Sequence, residues 1–176
     1  RFTVAAKSPL TGGYGEGEAG GWWGPELKFA GFDGIILKGQ SPKPVYLWIQ
    51  DGVVELRAAA HLWGKLSGEV QDLVVAETDK RARVRQCGPA GEKGCQHANI
   101  VNELKHFNGR SGLGAVMASK RLRAIAVRGK DKLEPKDKDG LQAVLKWMRT
   151  HYDREHDALH KYGTARNVAA MSADGI

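Results

Sequence analysis

Apolar and polar positions along this chain form short runs whose period changes repeatedly, and each change predicts a new element. Phe2-Thr3-Val4-Ala5-Ala6 predicts a strand, closed by the loop Ser8-Pro9-Leu10-Thr11-Gly12-Gly13 and more glycine. Pro25 to Gly31 predicts a short helix, because proline suits a first helical turn and glycine suits the C-terminal end. Gly34-Ile35-Ile36-Leu37-Lys38-Gly39 predicts a buried strand. Pro44 to Ile49 and Val53 to Arg57 flank Gln50-Asp51-Gly52, and Asp-Gly between two such runs is a strong hairpin signal. Val70, Leu73 and Val74 share one face of a helix predicted over roughly 67–77. Arg81 to Gln86 alternates like a half-exposed strand, Gly88 to Glu92 is a turn, and Ala98 to Asn102 is a short strand. A helix near 112–120 and a strand over 122–128 follow.

Beyond Gly129 the texture changes. Residues 130–140 are charged and carry a proline, as a linker would. Leu141, Val144, Leu145 and Met148 then make a helical stripe extending toward His160; Lys161-Tyr162-Gly163-Thr164 breaks it, and residues 165–171 start a second helix. The predicted class is α+β: a β-sheet-rich base domain with short helices over 1–130, then a linker and the opening of a mainly helical domain over 131–176. The chain starts on Arg1 within a strand pattern and stops after Gly175-Ile176, so both ends read as cuts in a longer protein.

One segment concentrates candidate chemistry. His106-Phe107-Asn108-Gly109-Arg110-Ser111-Gly112-Leu113-Gly114 sets three glycines and an arginine before a helix-compatible run. Glycine admits close backbone approach and positive φ, a helix N-terminus offers unpaired N–H groups, and arginine offers a bidentate fork. The pattern suits an anion cradle for a phosphorylated cofactor; the plain alternative is a tight turn whose glycines serve packing alone. Its spacing is neither a Walker loop nor a dinucleotide fingerprint. Gly20-Gly21-Trp22-Trp23-Gly24-Pro25 is a second such turn, where the tryptophans either wall a pocket or divide between core and surface. Glu16 and Glu18 precede it and read equally as solvated loop charge.

Composition narrows the classes. Glycine is 23 of 176 residues, about 13% against about 7% on average, without collagen periodicity. The net charge of +7 suggests an anionic partner, but basic residues are interspersed with acids. A nucleic-acid-binding module is therefore the different-class alternative rather than the leading one. The densest basic cluster, Lys120-Arg121-Leu122-Arg123, reads as a solvated helix end. Cys87 and Cys95 match no zinc or iron–sulfur spacing and read as reduced thiols of a cytoplasmic protein. His156 and His160 stand at i, i+4, either a metal pair or simply a polar helix face; the plainer reading is the face. No run reaches membrane-spanning length. No catalytic nucleophile or metal ligand can be nominated.

Several segments together resemble the aldehyde:ferredoxin oxidoreductase family. They are Lys7-Ser8-Pro9-Leu10-Thr11-Gly12, the run from Gly20 to Asp33, Lys43 to Ile49, Gly88-Pro89-Ala90-Gly91-Glu92, Gly109 to Met117, and Lys161 to Ala165, in order over nearly the whole chain. The resemblance implies a tungsten, less often molybdenum, centre held by two pyranopterins, with a [4Fe-4S] cluster whose ligands lie outside these residues. It implies cofactor contacts at Arg1, Glu18, Gly20, His106, Phe107, Gly109 and Arg110. Of these, Glu18, His106 and Phe107 depart from the Asn, Arg and Ala familiar in archaeal members. The implied activity is oxidation of aldehydes to carboxylates, with electrons passing to ferredoxin or an iron–sulfur subunit. The alternative is a subunit that reduces aromatic acyl-CoA thioesters, which the Glu103 to Arg110 version of the loop also resembles. Both homodimer and hetero-oligomer are compatible with it.

Overall fold

The computed structural model describes residues 1–131, 133–152 and 157–175. Contacts divide the chain into two units, residues 1–132 and 133–176.

The first unit is α+β. Strand β1 (Phe2–Lys7) pairs antiparallel with β2 (Tyr14–Ala19), Phe2 opposite Ala19 and Lys7 opposite Tyr14. A six-stranded mixed sheet follows the order β4-β3-β8-β5-β6-β7. Its strands are β3 (Val45–Gln50), β4 (Val53–Ala58), β5 (Arg83–Cys87), β6 (Ile100–Asn102), β7 (His106–Asn108) and β8 (Leu122–Arg128). Only the central β3–β8 pair is parallel. Four helices pack around it: α1 (Trp23–Phe29), α2 (Ser67–Glu77), α3 (Pro89–Glu92) and α4 (Leu113–Ser119).

Both faces of the central strands are covered, which is why β3 and β8 read as continuous apolar runs. Leu47, Ile49, Ile125 and Val127 form one core with Trp23 and Leu27 of α1 and Leu113 and Met117 of α4. Tyr46, Trp48, Ala124 and Ala126 turn to the other face and meet Val70 and Val74 of α2. The β3–β4 turn is built as the Asp-Gly signal requires, with φ of +46° at Asp51 and +85° at Gly52.

The structure departs from the expectations at several places, among them residues 89–92, expected as a turn and found as the one-turn helix α3. Residues 34–39 form no strand, and Ile36 is 86% exposed. Three consecutive apolar residues carry no period, and here they border a cavity beside β1 without a ladder partner. Strand β2 leaves no signal in the sequence because its inward positions are Gly15, Gly17 and Ala19, so its period of two has no large apolar side chains to display it. Arg123 is no solvated helix end: helix α4 stops at Ser119, and Arg123 is fully buried in β8.

That buried charge is heavily partnered. Arg123 Nε lies 2.8 Å from Glu92 Oε1, and its nitrogens donate to Leu62 O, Lys65 O and Gln86 Oε1 at 3.0–3.3 Å. Glu92 Oε2 accepts from Gly64 N at 2.7 Å. One ion pair thus ties α3, the 60–65 turn and the central sheet together. Arg128 similarly pairs with Glu26, whose carboxylate also accepts from Gly129 N at 3.0 Å.

In the second unit, α5 (Lys138–His151) is capped by Asp137, whose carboxylate accepts from Gly140 N. The helix ends before His160, which lies on α6 (Ala158–Tyr162); a 3-10 turn leads into α7 (Val168–Ala173). His156, and with it the pairing of His156 and His160, lies outside the described residues.

Candidate cofactor cradle

The glycine-rich segment is held by two buried asparagines. A turn with positive φ at Glu103 and Leu104 joins β6 to β7. Asn102 Nδ2 donates to His106 O at 3.1 Å and to Asn108 Oδ1 at 3.0 Å; Asn108 Nδ2 then donates to Gly17 O at 2.7 Å. Strand β7 is thereby fastened to β2. Glycines on β2 make the approach feasible: a Cβ at Gly15 would stand 2.5 Å from Ser111 Cβ, and one at Gly17 would stand 3.4 Å from Asn108.

The three loop glycines have different jobs. Gly112 has φ +67°, and its Cβ would lie 2.9 Å from Pro9 Cγ and 3.1 Å from the Gln96 carbonyl carbon. At Gly114 a Cβ would lie 2.7 Å from the Asn99 carbonyl carbon, and the Gly114 N–H is already taken by Ala98 O at 2.9 Å. These two serve a left-handed turn and backbone-to-backbone packing. Gly109 is different: it is exposed, its φ is not positive, and the nearest neighbour of a Cβ there would be Asn99 at 3.8 Å. Arg110 beside it is exposed and has no hydrogen bond or ion pair among the described residues. The part of the loop left open to a ligand is therefore Gly109–Arg110.

The second turn meets the first through His106. A Cβ on Gly20 would stand 3.6 Å from His106 Nδ1, and one on Gly21, where φ is +85°, only 2.6 Å from Cδ2. Glu103 accepts from Trp22 N at 3.0 and 3.3 Å and so fixes the entry to α1. Trp22 is 58% exposed, whereas Trp23 is buried and donates its indole N–H to Ile125 O at 3.0 Å. On the outer face of the hairpin, Arg1 pairs with Glu18 at 3.2 Å between two exposed side chains. Phe107 is half exposed.

The expected residues thus fall into contacts Gly20–His106 and Arg1–Glu18, while Gly109–Arg110 connects to them through Asn108 and Gly17. Glu103 and Asn108, which hold the two turns together, carry no signal in the sequence, because the short strand β7 that turns Asn108 inward shows no apolar period. Cys87 is buried, with Sγ 3.5 Å from Leu122 O, and burial pushes its thiol up to about 12. It is an inert thiol, while Cys95 is exposed and unpaired. Among the described residues, no three His, Cys, Asp or Glu side chains converge to hold a metal ion. A metal here would have to arrive within a cofactor held by other groups.

The donor set suits the phosphate end of such a cofactor: an unpaired guanidinium next to a backbone that nothing shields. The two glycine turns and the unpaired Arg110 lie on an α+β domain. The family of the aldehyde ferredoxin oxidoreductase N-terminal domain matches residues 1–129, and the chain belongs to that family. It is 41% identical over 180 residues to the tungsten-containing aldehyde ferredoxin oxidoreductase of Thermococcus kodakarensis, covering 100% of this chain and 30% of that protein. An aliphatic sulfonate oxidoreductase WOR-like subunit of Pyrococcus furiosus is 33% identical over 160 residues, 83% of this chain and 26% of that protein. Among solved structures, an active-site complex of benzoyl coenzyme A reductase with 1,5-dienoyl-CoA superposes with a TM-score of 0.78 at 39% identity, covering 88% of this chain and 24% of that one. The chain spans about a third of the length of the relatives it matches.

Proposed function

We propose that residues 1–130 form the base on which a tungsten (or molybdenum) bis-pyranopterin rests, in a cytoplasmic enzyme that oxidises aldehydes. The observation that carries this reading is Arg110: it is exposed, unpaired and adjacent to the unshielded Gly109, in a chain of this family. Arg110 grips a cofactor phosphate in a bidentate fork, and the Gly109 backbone admits the phosphate closely. His106, wedged against Gly20 and Gly21, sets the spacing between the two turns and offers a ring nitrogen to the same group. Arg1 is shared with Glu18, so it acts as a paired rim charge rather than a full phosphate ligand. Phe107 contributes its backbone and an exposed ring.

When bound, such a cofactor supplies two-electron redox chemistry: an aldehyde and water become a carboxylate, three protons and two electrons. The family resemblance implies that a [4Fe-4S] cluster held by other residues would take these electrons on to ferredoxin or an iron–sulfur subunit. In this reading the chain's own residues bind and orient the cofactor. A second reading, a subunit reducing aromatic acyl-CoA thioesters, is favoured by the 39% identity to the benzoyl coenzyme A reductase complex.

The test is Arg110→Ala in the full-length enzyme, measuring tungsten and molybdenum by mass spectrometry and pterin by fluorescence after oxidation. We expect at least a tenfold fall in both, with the circular dichroism spectrum unchanged. Full loading of the variant would overturn the assignment, and absence of metal and pterin from the parent would overturn the function. Aldehyde-dependent against benzoyl-CoA-dependent electron transfer separates the two reactions.

A further inference from the structure

Two hairpin turns of the first unit share a backbone form but not their residues. Asp51-Gly52, between β3 and β4, has φ of +46° and +85°; Glu103-Leu104, between β6 and β7, has φ of +54° and +58°. The second turn is closed by Lys105 N, which donates to Asn102 O at 3.1 Å. Asp-Gly suits two consecutive left-handed residues, because aspartate tolerates that region and glycine has no Cβ to clash. Glu-Leu carries the left-handed penalty at both positions. Joining β6 to β7 does not by itself require that strain, and strain held in place by its surroundings points to a further task.

Glu103 has such a task. Its N–H is fixed on β5, donating to Val84 O at 2.9 Å, so the positive φ sets the direction in which its side chain leaves the hairpin. The carboxylate reaches Trp22 N, from which its two oxygens accept at 3.0 and 3.3 Å. Trp22 directly follows Gly20-Gly21. A Cβ at Gly21 would stand 3.2 Å from Glu103 Oε2 and 2.6 Å from His106 Cδ2, so both side chains of the β6–β7 hairpin press on one glycine. These contacts are internal to the first unit.

We propose that Glu103 is a positioning residue of the cofactor cradle: it draws the Gly20-Gly21 turn onto His106, so that this turn and Gly109–Arg110 keep one spacing for one ligand. The inference rests on the cofactor reading above. A carboxylate repels a phosphate, so Glu103 acts through its hydrogen bond to Trp22 N and not by touching the ligand. The plain alternative is a cap that only satisfies an N–H at the entry to α1. A cap stabilises the fold. A strained positioning residue can be replaced without loss of stability, and the loss falls on the ligand instead.

The test uses the full-length enzyme and three variants. Glu103→Gly removes the acceptor and relieves the turn, Leu104→Gly relieves the turn and keeps the acceptor, and Glu103→Gln keeps an acceptor and removes the charge. Tungsten, molybdenum and pterin contents are measured beside the thermal unfolding of enzyme grown without tungstate or molybdate and confirmed free of pterin, so that bound cofactor adds nothing to Tm. We expect Glu103→Gly to hold at least about tenfold less cofactor, the lower end for partners that orient ligand-holding groups, with a cofactor-free Tm at or above the parent's. Leu104→Gly loads fully with a raised Tm, and Glu103→Gln loads as the parent does. A lower cofactor-free Tm in Glu103→Gly assigns the cap and overturns the proposal. Full loading of Glu103→Gly, poor loading of Leu104→Gly or no recovery in Glu103→Gln overturns it as well. A parent without metal or pterin overturns the cofactor reading and this inference with it; a loaded parent, an empty Arg110→Ala and a loaded Glu103→Gly overturn this inference alone.

Discussion

Gly109 and Gly114 stand five residues apart in one glycine-rich loop, yet replacement by alanine is expected to act on different properties. At Gly114 the new methyl group would fall 2.7 Å from the Asn99 carbonyl carbon and 2.8 Å from that of Ala98, about 0.6–0.7 Å inside the edge of ordinary van der Waals contact. Both neighbours are backbone, so no rotamer change relieves the clash, and the Gly114 N–H to Ala98 O bond must stretch as α4 moves out. Overpacking of this kind costs roughly 1–3 kcal/mol, against a helix-propensity gain of about 1 kcal/mol for Gly→Ala. Backbone displacement places Gly114→Ala at the upper end, for a net loss of about 2 kcal/mol and a Tm lower by roughly 5–10 °C. At Gly109 the methyl group meets only Asn99, at 3.8 Å, so Gly109→Ala leaves Tm within about 2 °C. Thermal unfolding of the two variants, followed by circular dichroism beside a cofactor assay of the full-length enzyme, tests both halves. Gly114→Ala as stable as the parent would refute the packing argument. Gly109→Ala that loads cofactor fully would refute the reading of Gly109 as the open, ligand-facing position.

Other consequences follow from the buried polar groups. Glu92→Gln keeps an acceptor for Gly64 N but leaves the Arg123 charge unbalanced; urea unfolding should show a loss of about 3–5 kcal/mol, and a loss below about 1 kcal/mol would show that the carbonyls alone satisfy Arg123. Asn108→Asp replaces the donor facing Gly17 O with a carboxylate oxygen and should cost more than Asn108→Ala, which loses about 1–3 kcal/mol; the reverse order in a denaturant series would contradict the bridging role. One thiol, that of Cys95, should react with a disulfide reagent in the native chain and two after denaturation. Because burial raises the Cys87 thiol to about 12, the unfolded chain loses its proton first as pH rises past about 9. Stability present below that pH is then lost toward pH 12 at about 1.4 kcal/mol per unit, and Cys87→Ala should remove that slope from alkaline unfolding curves.

Legibility of the sequence followed the size of the inward side chains. The β3–β4 hairpin was readable because Tyr46 to Ile49 are large and Asp51-Gly52 adopts a turn that few other pairs tolerate. Helix α2 and strand β8 were readable for the same reason, their apolar faces being populated by valine, leucine and isoleucine. Strand β2 was hidden because its buried face is Gly15, Gly17 and Ala19, and the 34–39 segment misled because apolar character without period does not say whether a partner strand exists. Arg123 misled in the opposite direction, since charge in a sequence is presumed to face water unless its acid is known. Glu92, its partner, lies 31 positions earlier on α3, a separation that no local pattern spans.

The same reasoning explains why the glycine loop was only half understood from its residues. A glycine required for a ligand and a glycine required for a neighbouring carbonyl are identical in sequence. They differ in what a Cβ would meet: backbone at Gly112 and Gly114, and ordinary contact with one side chain at Gly109. Glycines on β2 let β7 approach closely enough for Asn108 to reach Gly17 O, and that bridge fixes the strand from which Gly109 and Arg110 emerge. The two jobs are therefore coupled: the loop can offer one unshielded glycine and one spare guanidinium because its other glycines bury its remainder against the fold.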